Sequence, residues 1–360
     1  MATRRKLAAD AFEKTACYDR AIANYFTTGQ EKTASFTLPN SMSAKFTRLN
    51  DLRYGENPHQ PAAVYASSRA AQPNLLTAEQ LNGKELSYNN WLDLDAALSM
   101  VAGFESPAVS VIKHNNPCGL ATASDLAAAA SAGMAGDPVS AFGSILGCNR
   151  IVDAATAEVL AEPGLFIEAI VAPDFSPEAL EILTTKPKWK KNVRLMKLGR
   201  ELDAASTKPA LAMRQIDGGI LAQVANNQPD DFDSWTVATE NAPDDALVAE
   251  LRFAWQVVRH VKSNAIVLTK DQSLVGSGAG QTSRVDSVEI AIRKAADRAA
   301  GSVLASDAFF PFPDSIHAAA AAGITAIIQP GGSKNDDQVV SACNEHGLPM
   351  IFTGRRHFKH

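Results

Sequence analysis

From about residue 92 to residue 352 the chain runs twice through an alternation of helical and strand-like hydrophobic patterns. No other feature constrains the fold as much, because strands separated by helices must be layered with them in an α/β arrangement. In the first round Leu92 to Ala102 reads as a helix and Ala108 to Ile112 as a buried strand. Ser124 to Met134 reads as an Ala-rich helix with Ser124 at its N-cap, and Phe166 to Ala172 as a strand. Ser176-Pro177-Glu178 opens another helix with proline at the first helical position. The Asn-, Pro- and Asp-rich stretch from Ala225 to Asp245 marks an internal boundary. Beyond it, Leu247 to Val261 predicts a helix, Ala265 to Thr269 and Leu274 to Ser277 strands, Arg284 to Ala300 a helix, and Ser302 to Ala305 a strand. Ahead of both rounds, Leu7, Ala11, Tyr18, Ile22 and Phe26 predict a helix that ends at Thr27-Thr28-Gly29, with a polar connector to about Lys45. The two rounds suggest a duplication: Asp137 to Phe142 and Asp307 to Phe310 each follow a Gly-bearing loop and an Ala-rich helix.

Composition narrows the function. At 360 residues, 46% hydrophobic and 20% charged, the chain is that of a globular protein with two domains or one large one. Its net charge of −5 disfavours nucleic acid as the main partner, while a small anion held by a few local cations stays allowed. Cys17, Cys118, Cys148 and Cys343 form no CxxC pair, so reduced thiols and no metal site are expected. The basic N-terminus leads into an amphipathic segment rather than an apolar signal core, and no stretch approaches a membrane span. A cytoplasmic protein is expected.

Five segments carry chemistry. Val111-Ile112-Lys113-His114-Asn115-Asn116-Pro117-Cys118-Gly119 takes a buried strand into a polar turn, where a ligand crevice lies in open α/β sheets. Lys113 and His114 pair a cation with a group titrating near neutrality, suited to stabilising an oxyanion and moving a proton; a charged turn is the plainer alternative. Asp51 to Gln60 gathers Arg53, Tyr54 and Asn57 in a Pro- and Gly-broken loop, where Arg53 suits a phosphate or carboxylate and a solvated loop reads equally well. Gly276-Ser277-Gly278-Ala279-Gly280-Gln281-Thr282-Ser283-Arg284 lies between a strand and a helix: an anion cradle reinforced by Arg284, or a tight turn. Ser306 to Asp314 places three Phe and two Pro in one loop, either plugging the core or facing a heterocycle. Arg355 to His360 reads as a basic tail.

Together, LRYGENPHQ, IKHNNPCG, KSNAIVL, GSGAGQTSR, SDAFFPFPD and RRHFKH, in order from residue 52 to the last residue, resemble the folate-dependent AICAR transformylases (AICAR is 5-aminoimidazole-4-carboxamide ribonucleotide). The resemblance implies an α/β fold of two cytidine-deaminase-like subdomains after an N-terminal helical segment. The divisions are residues 1–45 for helix and connector, 46–223 for the first subdomain, and 224–360 for linker and second subdomain. It implies Lys113, His114 and Asn264 as catalytic residues. It places Arg53, Tyr54, Asn90, Arg284, Phe309, Arg356 and His360 around AICAR, and Phe309, Pro311, Phe312 and Asp314 on the folate side. A ligand-contacting glycine of some members aligns near Ala169. The co-substrate would be 10-formyltetrahydrofolate, with no metal in the chemistry and room for a structural monovalent cation. Two copies of the chain would share the active sites.

Most members also carry an IMP cyclohydrolase domain that these 360 residues do not resemble, so a monofunctional transformylase or a fragment, working with a separate cyclohydrolase, is expected. The implied reaction is formyl transfer to the 5-amine of AICAR, with His114 accepting a proton and Lys113 stabilising the formyl oxygen or protonating the folate. Two rivals stand beside it: a catalytically inactive AICAR-binding regulatory protein, and a nucleotide deaminase. The deaminase would need a Pro-Cys-x-x-Cys run, which Pro117-Cys118-Gly119 does not continue.

Overall fold

The computed structural model describes residues 1–28, 38–67, 73–202 and 211–360. Two compact units are built from them. Met1–Ser43 with Pro209–Ala225 forms one, and Ala44–Lys208 with Asn226–His360 the other.

In chain order the elements are α1 (Ala2–Thr28), β1 (Phe46–Leu52), β2 (Ala62–Ser67) and β3 (Glu79–Asn82). The first repeat follows: α2 (Tyr88–Val101), β4 (Ala108–Lys113), β5 (Asn116–Thr122), α3 (Leu126–Met134), α4 (Pro138–Ala141), β6 (Ser144–Cys148), α5 (Ala154–Leu160), β7 (Ile167–Ala172), α6 (Pro177–Thr185) and β8 (Arg194–Lys197). A hairpin of β9 (Leu211–Ile216) and β10 (Gly219–Val224) belongs to the smaller unit. Then come β11 (Thr236–Val237), α7 (Asp245–Val258), β12 (Ile266–Lys270), β13 (Ser273–Gly278), α8 (Arg284–Ala295), β14 (Val303–Ser306), α9 (Asp314–Ala321), β15 (Ala326–Gln329), α10 (Asp336–Glu345) and β16 (Met350–Phe352).

The fold is mixed α/β, and the duplication is visible in its sheet. Twelve strands run in the order β11-β16-β15-β14-β12-β13-β5-β4-β6-β7-β8-β3. In the first repeat β4 pairs antiparallel with β5 and β6, and β6-β7-β8 are parallel. In the second, β12 pairs antiparallel with β13 and β14, and β14-β15-β16 are parallel. The repeats meet at β5 and β13, where Ser273 lies opposite Ala121. The sequence match that suggested the duplication is out of register, however: Asp137 precedes β6, whereas Asp307 follows β14, the strand equivalent to β6.

Helices cover both sheet faces, which is why the central strands read as continuous apolar runs. Leu94, Ala97 and Met100 of α2 and Leu251, Ala254 and Trp255 of α7 share one core with Ala108, Ile112 and Val267. On the opposite face α3, α5 and α6 pack on Val109, Val111 and Leu146, and α8, α9 and α10 pack on Ile266, Leu268 and Leu304.

Three local expectations need correction. The N-cap of α3 is Asp125, whose carboxylate accepts the Ala128 N–H at 2.8 Å, while the Ser124 hydroxyl merely donates to Asp125; a carboxylate also complements the positive helix end. α8 stops at Ala295, because Ala296 takes a φ of +50° and the chain continues as a 3₁₀ turn over Ala296–Ala299. Asn116-Pro117-Cys118-Gly119 is strand rather than turn. Proline is tolerated there because the β4–β5 register slips beside it, between Val111 and Ile112.

Candidate functional site

Lys113 ends β4, Asn116 starts β5, and only His114 and Asn115 connect them. The type I′ turn, whose twist suits a two-residue hairpin, has positive φ at both central residues, and these take +53° and +62°. The turn is pinned from α2, where Asp93 Oδ1 accepts the Asn115 N–H at 2.7 Å. Burial pushes the Asp93 carboxyl above its usual range, against the N–H groups of Asn115 and His114 and the nearby imidazole. Asp93 was missed from sequence; nothing local links it to a turn 22 residues on. The imidazole of His114 is exposed, and Lys113 Nζ donates to the Phe142 carbonyl at 2.8 Å. The pair therefore stands at a hairpin tip, not in a strand-to-helix crevice.

Lys113, His114, Asn116, Asp137, Ser277 and Lys294 line a cleft of about 200 Å³ between the two repeats. Cys118 also lines it, but burial, with Asp137 adding to it, pushes the thiol up to about 12, so it is no nucleophile. A wider hollow of about 390 Å³ beside Ala238, Val340 and Phe352 holds none of the residues named from sequence.

The second repeat brings its polar residues to the same end of the seam. Asn116 Oδ1 accepts the Lys262 N–H at 3.1 Å, two residues before Asn264. The Asn264 amide donates to the carbonyls of Gln281 and Thr282 at 2.9 and 3.2 Å, and its oxygen accepts from Arg284 at 2.8 Å. Arg284 is buried and also donates to Ser306 Oγ at 2.7 Å and Asp307 Oδ1 at 2.6 Å. The second carboxylate oxygen of Asp307 accepts from Ser263. Arg284 thus sits inside a buried network rather than reinforcing a glycine cradle. Two of the glycines before it serve packing: a Cβ on Gly278 would lie 2.0 Å from the Ser287 carbonyl, and one on Gly276 2.3 Å from that of Ala291.

The C-terminal residues are tied into this network and are not a loose tail. The His357 N–H donates to the Asp307 carbonyl at 2.9 Å, and Lys359 exchanges hydrogen bonds with Ser263 at 2.9 and 3.0 Å. His357 is fully buried, its ring 3.2 Å from Asp230 and in contact with Trp255. Burial lowers the Lys359 ammonium, Asp95 on α2 opposing and Lys262 assisting. Arg356 and His360 are exposed, Arg356 stacking over Phe358 at 4.7 Å.

The remaining residues named from sequence are dispersed. Arg53, exposed, donates to the Tyr54 hydroxyl at 3.1 Å. Asn90 is the third residue of α2, and its side-chain oxygen accepts the Ser87 N–H at 3.0 Å in a capping box. In the phenylalanine loop Phe310 is fully buried and plugs the core, while Phe309 and Phe312 are 37% and 57% exposed. The Pro311 carbonyl accepts from Asn335 at 2.7 Å, and Asp314, exposed, begins α9. Ala169 is buried in β7 within the sheet core. Among the described residues no group of three or more His, Cys, Asp or Glu could hold a metal ion, and no helix is long and apolar enough to cross a membrane.

A family model described as AICARFT/IMPCHase bienzyme matches residues 1–294. The chain is 60% identical over 357 residues to the bifunctional purine biosynthesis protein PurH of Rhodopirellula baltica, covering 99% of this chain and 67% of that protein. It is 48% identical to the PurH proteins of Oceanobacillus iheyensis and Bacillus cereus, covering 99% of this chain and 68% of each.

Proposed function

The chain belongs to the AICARFT/IMPCHase bienzyme family, and from that premise we propose that it transfers a formyl group from 10-formyltetrahydrofolate to the 5-amine of AICAR, in purine biosynthesis, at the Lys113-His114 hairpin tip. The observation that carries this reading is the tip itself. A cation and an imidazole are held at adjacent positions by a two-residue turn that Asp93 anchors, beside a cleft.

In the reaction the amine nitrogen bonds to the formyl carbon and the bond from that carbon to folate N10 breaks. The AICAR amine is a poor nucleophile, since its lone pair is delocalised into the ring, so it must lose a proton as it attacks. His114 accepts that proton. Lys113 stabilises the developing oxyanion or returns a proton to N10. General-base assistance is typically worth ~10²–10⁴-fold and an oxyanion donor ~10²–10³-fold. Asn264 keeps the substrate carboxamide in register, its own amide fixed by Arg284. Arg53, Tyr54, Asn90, Arg284, Phe309, Arg356 and His360 surround AICAR, and Phe309, Pro311, Phe312 and Asp314 receive the folate. Any monovalent cation would be structural.

Two copies of the chain, divided at 1–45, 46–223 and 224–360, share these residues between sites. The exposed Leu7, Phe12, Tyr25 and Phe26 of α1, and Phe46 and Tyr65 on the β1–β2 hairpin, support the homodimer. The protein works in the cytoplasm. Each relative is named bifunctional, and about a third of its length has no counterpart here. The formyl-AICAR made here is the substrate that ring closure to IMP consumes.

The test is tetrahydrofolate release by the purified chain with AICAR and 10-formyltetrahydrofolate, with IMP measured in parallel. Folate release dependent on Lys113 and without IMP is expected. Binding of AICAR without turnover would replace this reading with the regulatory one, and enzyme-dependent IMP would place cyclohydrolase chemistry on these residues.

A further inference from the structure

We propose that Asp137 and Lys294 form a clasp between the two repeats that positions Lys113 for formyl transfer. The inference rests on the catalytic role proposed for Lys113.

Lys113 Nζ points at one acceptor, the Phe142 carbonyl at 2.8 Å. Phe142 closes α4, a single turn of four residues. So short a helix cannot hold its own shape, since nucleating a turn costs more than its few hydrogen bonds return. Side chains hold it instead. The Asp137 carboxylate caps it, accepting the Ser140 N–H at 3.1 Å and hydroxyl at 2.6 Å. The same carboxylate pairs at 2.7 Å with Lys294, which reaches across from α8 in the second repeat and approaches Ser140 Oγ at 3.4 Å. In the 3₁₀ turn that follows α8, Arg298 donates to the carbonyls of Ala135 and Gly136 at 2.7 and 2.8 Å. Two cations of the second repeat thus grip the segment whose last carbonyl aims the lysine of the first.

The electrostatics favour an ionised Asp137 in the clasp. Burial works to raise the Asp137 carboxyl, but the hydrogen bonds from Lys294 and Ser140 outweigh it and hold the group below its usual range. Lys294 is 42% exposed, so the pair adds little to global stability. Its contribution is placement. Asp137 and Lys294 also line the cleft together with Lys113 and His114, so a shift of α4 is felt where the chemistry occurs. An ammonium displaced by about 1 Å from its oxyanion loses up to ~10²-fold in rate.

Steady-state kinetics with AICAR and 10-formyltetrahydrofolate on Asp137→Asn, Lys294→Met and Lys294→Arg test the clasp, with Lys113→Ala and Lys186→Met as references. Lys186→Met deletes a more exposed ion pair, to Glu158, within the first repeat. Asp137→Asn and Lys294→Met should each lower kcat about tenfold with both KM values within about twofold. Combining them should cost no more than one alone, and Lys294→Arg should restore kcat to within about twofold, since a guanidinium can make the same carboxylate bond. Lys186→Met should leave kcat unchanged. Wild-type kcat in both clasp variants, or a loss that Lys294→Arg does not restore, overturns the clasp. Full turnover in Lys113→Ala would instead overturn the catalytic reading beneath it.

Discussion

The hairpins β4–β5 and β12–β13 occupy equivalent places in the two repeats, and their turns are built alike. Each first strand ends in lysine, Lys113 or Lys270, followed by two residues with positive φ: His114 at +53° and Asn115 at +62°, Asp271 at +53° and Gln272 at +54°. In each, the second turn residue donates its N–H to a carboxylate of the preceding helix, Asp93 at 2.7 Å or Glu250 at 2.8 Å. The backbone device was duplicated, and its surroundings were not. Because β5 and β13 run antiparallel, the turns point to opposite ends of the seam. The first reaches the end where Lys262, Asn264, Arg284 and the C-terminal residues gather. At the other end, the Gln272 carbonyl accepts the Thr122 N–H at 3.0 Å, and Lys270 Nζ donates to the Ala300 carbonyl at 3.0 Å. The same turn scaffold therefore meets different groups in the two copies, and the proposed chemistry belongs to the first.

The comparison breaks most sharply through the lysines and the first turn residues. Lys113→Ala and His114→Ala should each lower kcat by ~10²–10⁴-fold, with the KM for AICAR changed only a few-fold, since both groups act mainly in the transition state. Lys270→Ala and Asp271→Ala should leave kcat unchanged. Equal losses in both repeats, measured as tetrahydrofolate release, would mean that turn integrity and not Lys113-His114 chemistry limits turnover.

Next in size are the exposed arginines proposed to serve only the first turn. Arg53→Ala and Arg356→Ala should raise the KM for AICAR about tenfold or more, with kcat nearly intact, because charged hydrogen bonds of roughly 1.5–3 kcal/mol to a phosphate change little during chemistry. A wild-type KM with lost kcat would remove them from the binding site. Smaller again is the effect of the anchors. Asp93→Ala and Glu250→Ala should each cost about 1–3 kcal/mol of stability through the orphaned turn N–H, yet only Asp93→Ala should also lower kcat, by about tenfold. Denaturant melts and initial rates on the same samples separate the two effects.

The repeats were legible in sequence because apolar period and strand length survive in every central element, as in Ala108–Ile112 and Leu247–Val258. The turns were not. A two-residue hairpin is normally announced by glycine, and His114-Asn115 and Asp271-Gln272 carry none. Nor does composition show that His357 within a basic C-terminus is buried, since that depends on Asp230 and Asn226, more than a hundred residues upstream, lying beside it. Asn264 and Arg284, 20 residues apart, join only through the folded network with Asp307. The glycines before Arg284 have the look of a ligand loop, because tight helix packing and anion binding both ask for the absence of a Cβ. Only the family pattern, and not local chemistry, groups the scattered polar residues into the one reaction proposed for them.

The smallest expected effect separates scaffold from chemistry most cleanly. His114 and Asp271 hold the same backbone position at the same φ of +53°. Left-handed backbone costs a residue with a Cβ roughly 1–2 kcal/mol, and glycine avoids this while losing about 0.5–1 kcal/mol of unfolded-chain entropy. His114→Gly and Asp271→Gly should therefore each stabilise the protein by about 0.5–1 kcal/mol, raising Tm by about 1 °C. The two variants should be indistinguishable by calorimetry and opposite in assay: Asp271→Gly keeps full turnover, and His114→Gly loses it while melting higher. A stability gain with lost activity cannot come from damage to the fold, so that combination would place the function of His114 in its imidazole. Destabilisation in both variants would show instead that the side chains, and not the turn geometry, hold these hairpins closed.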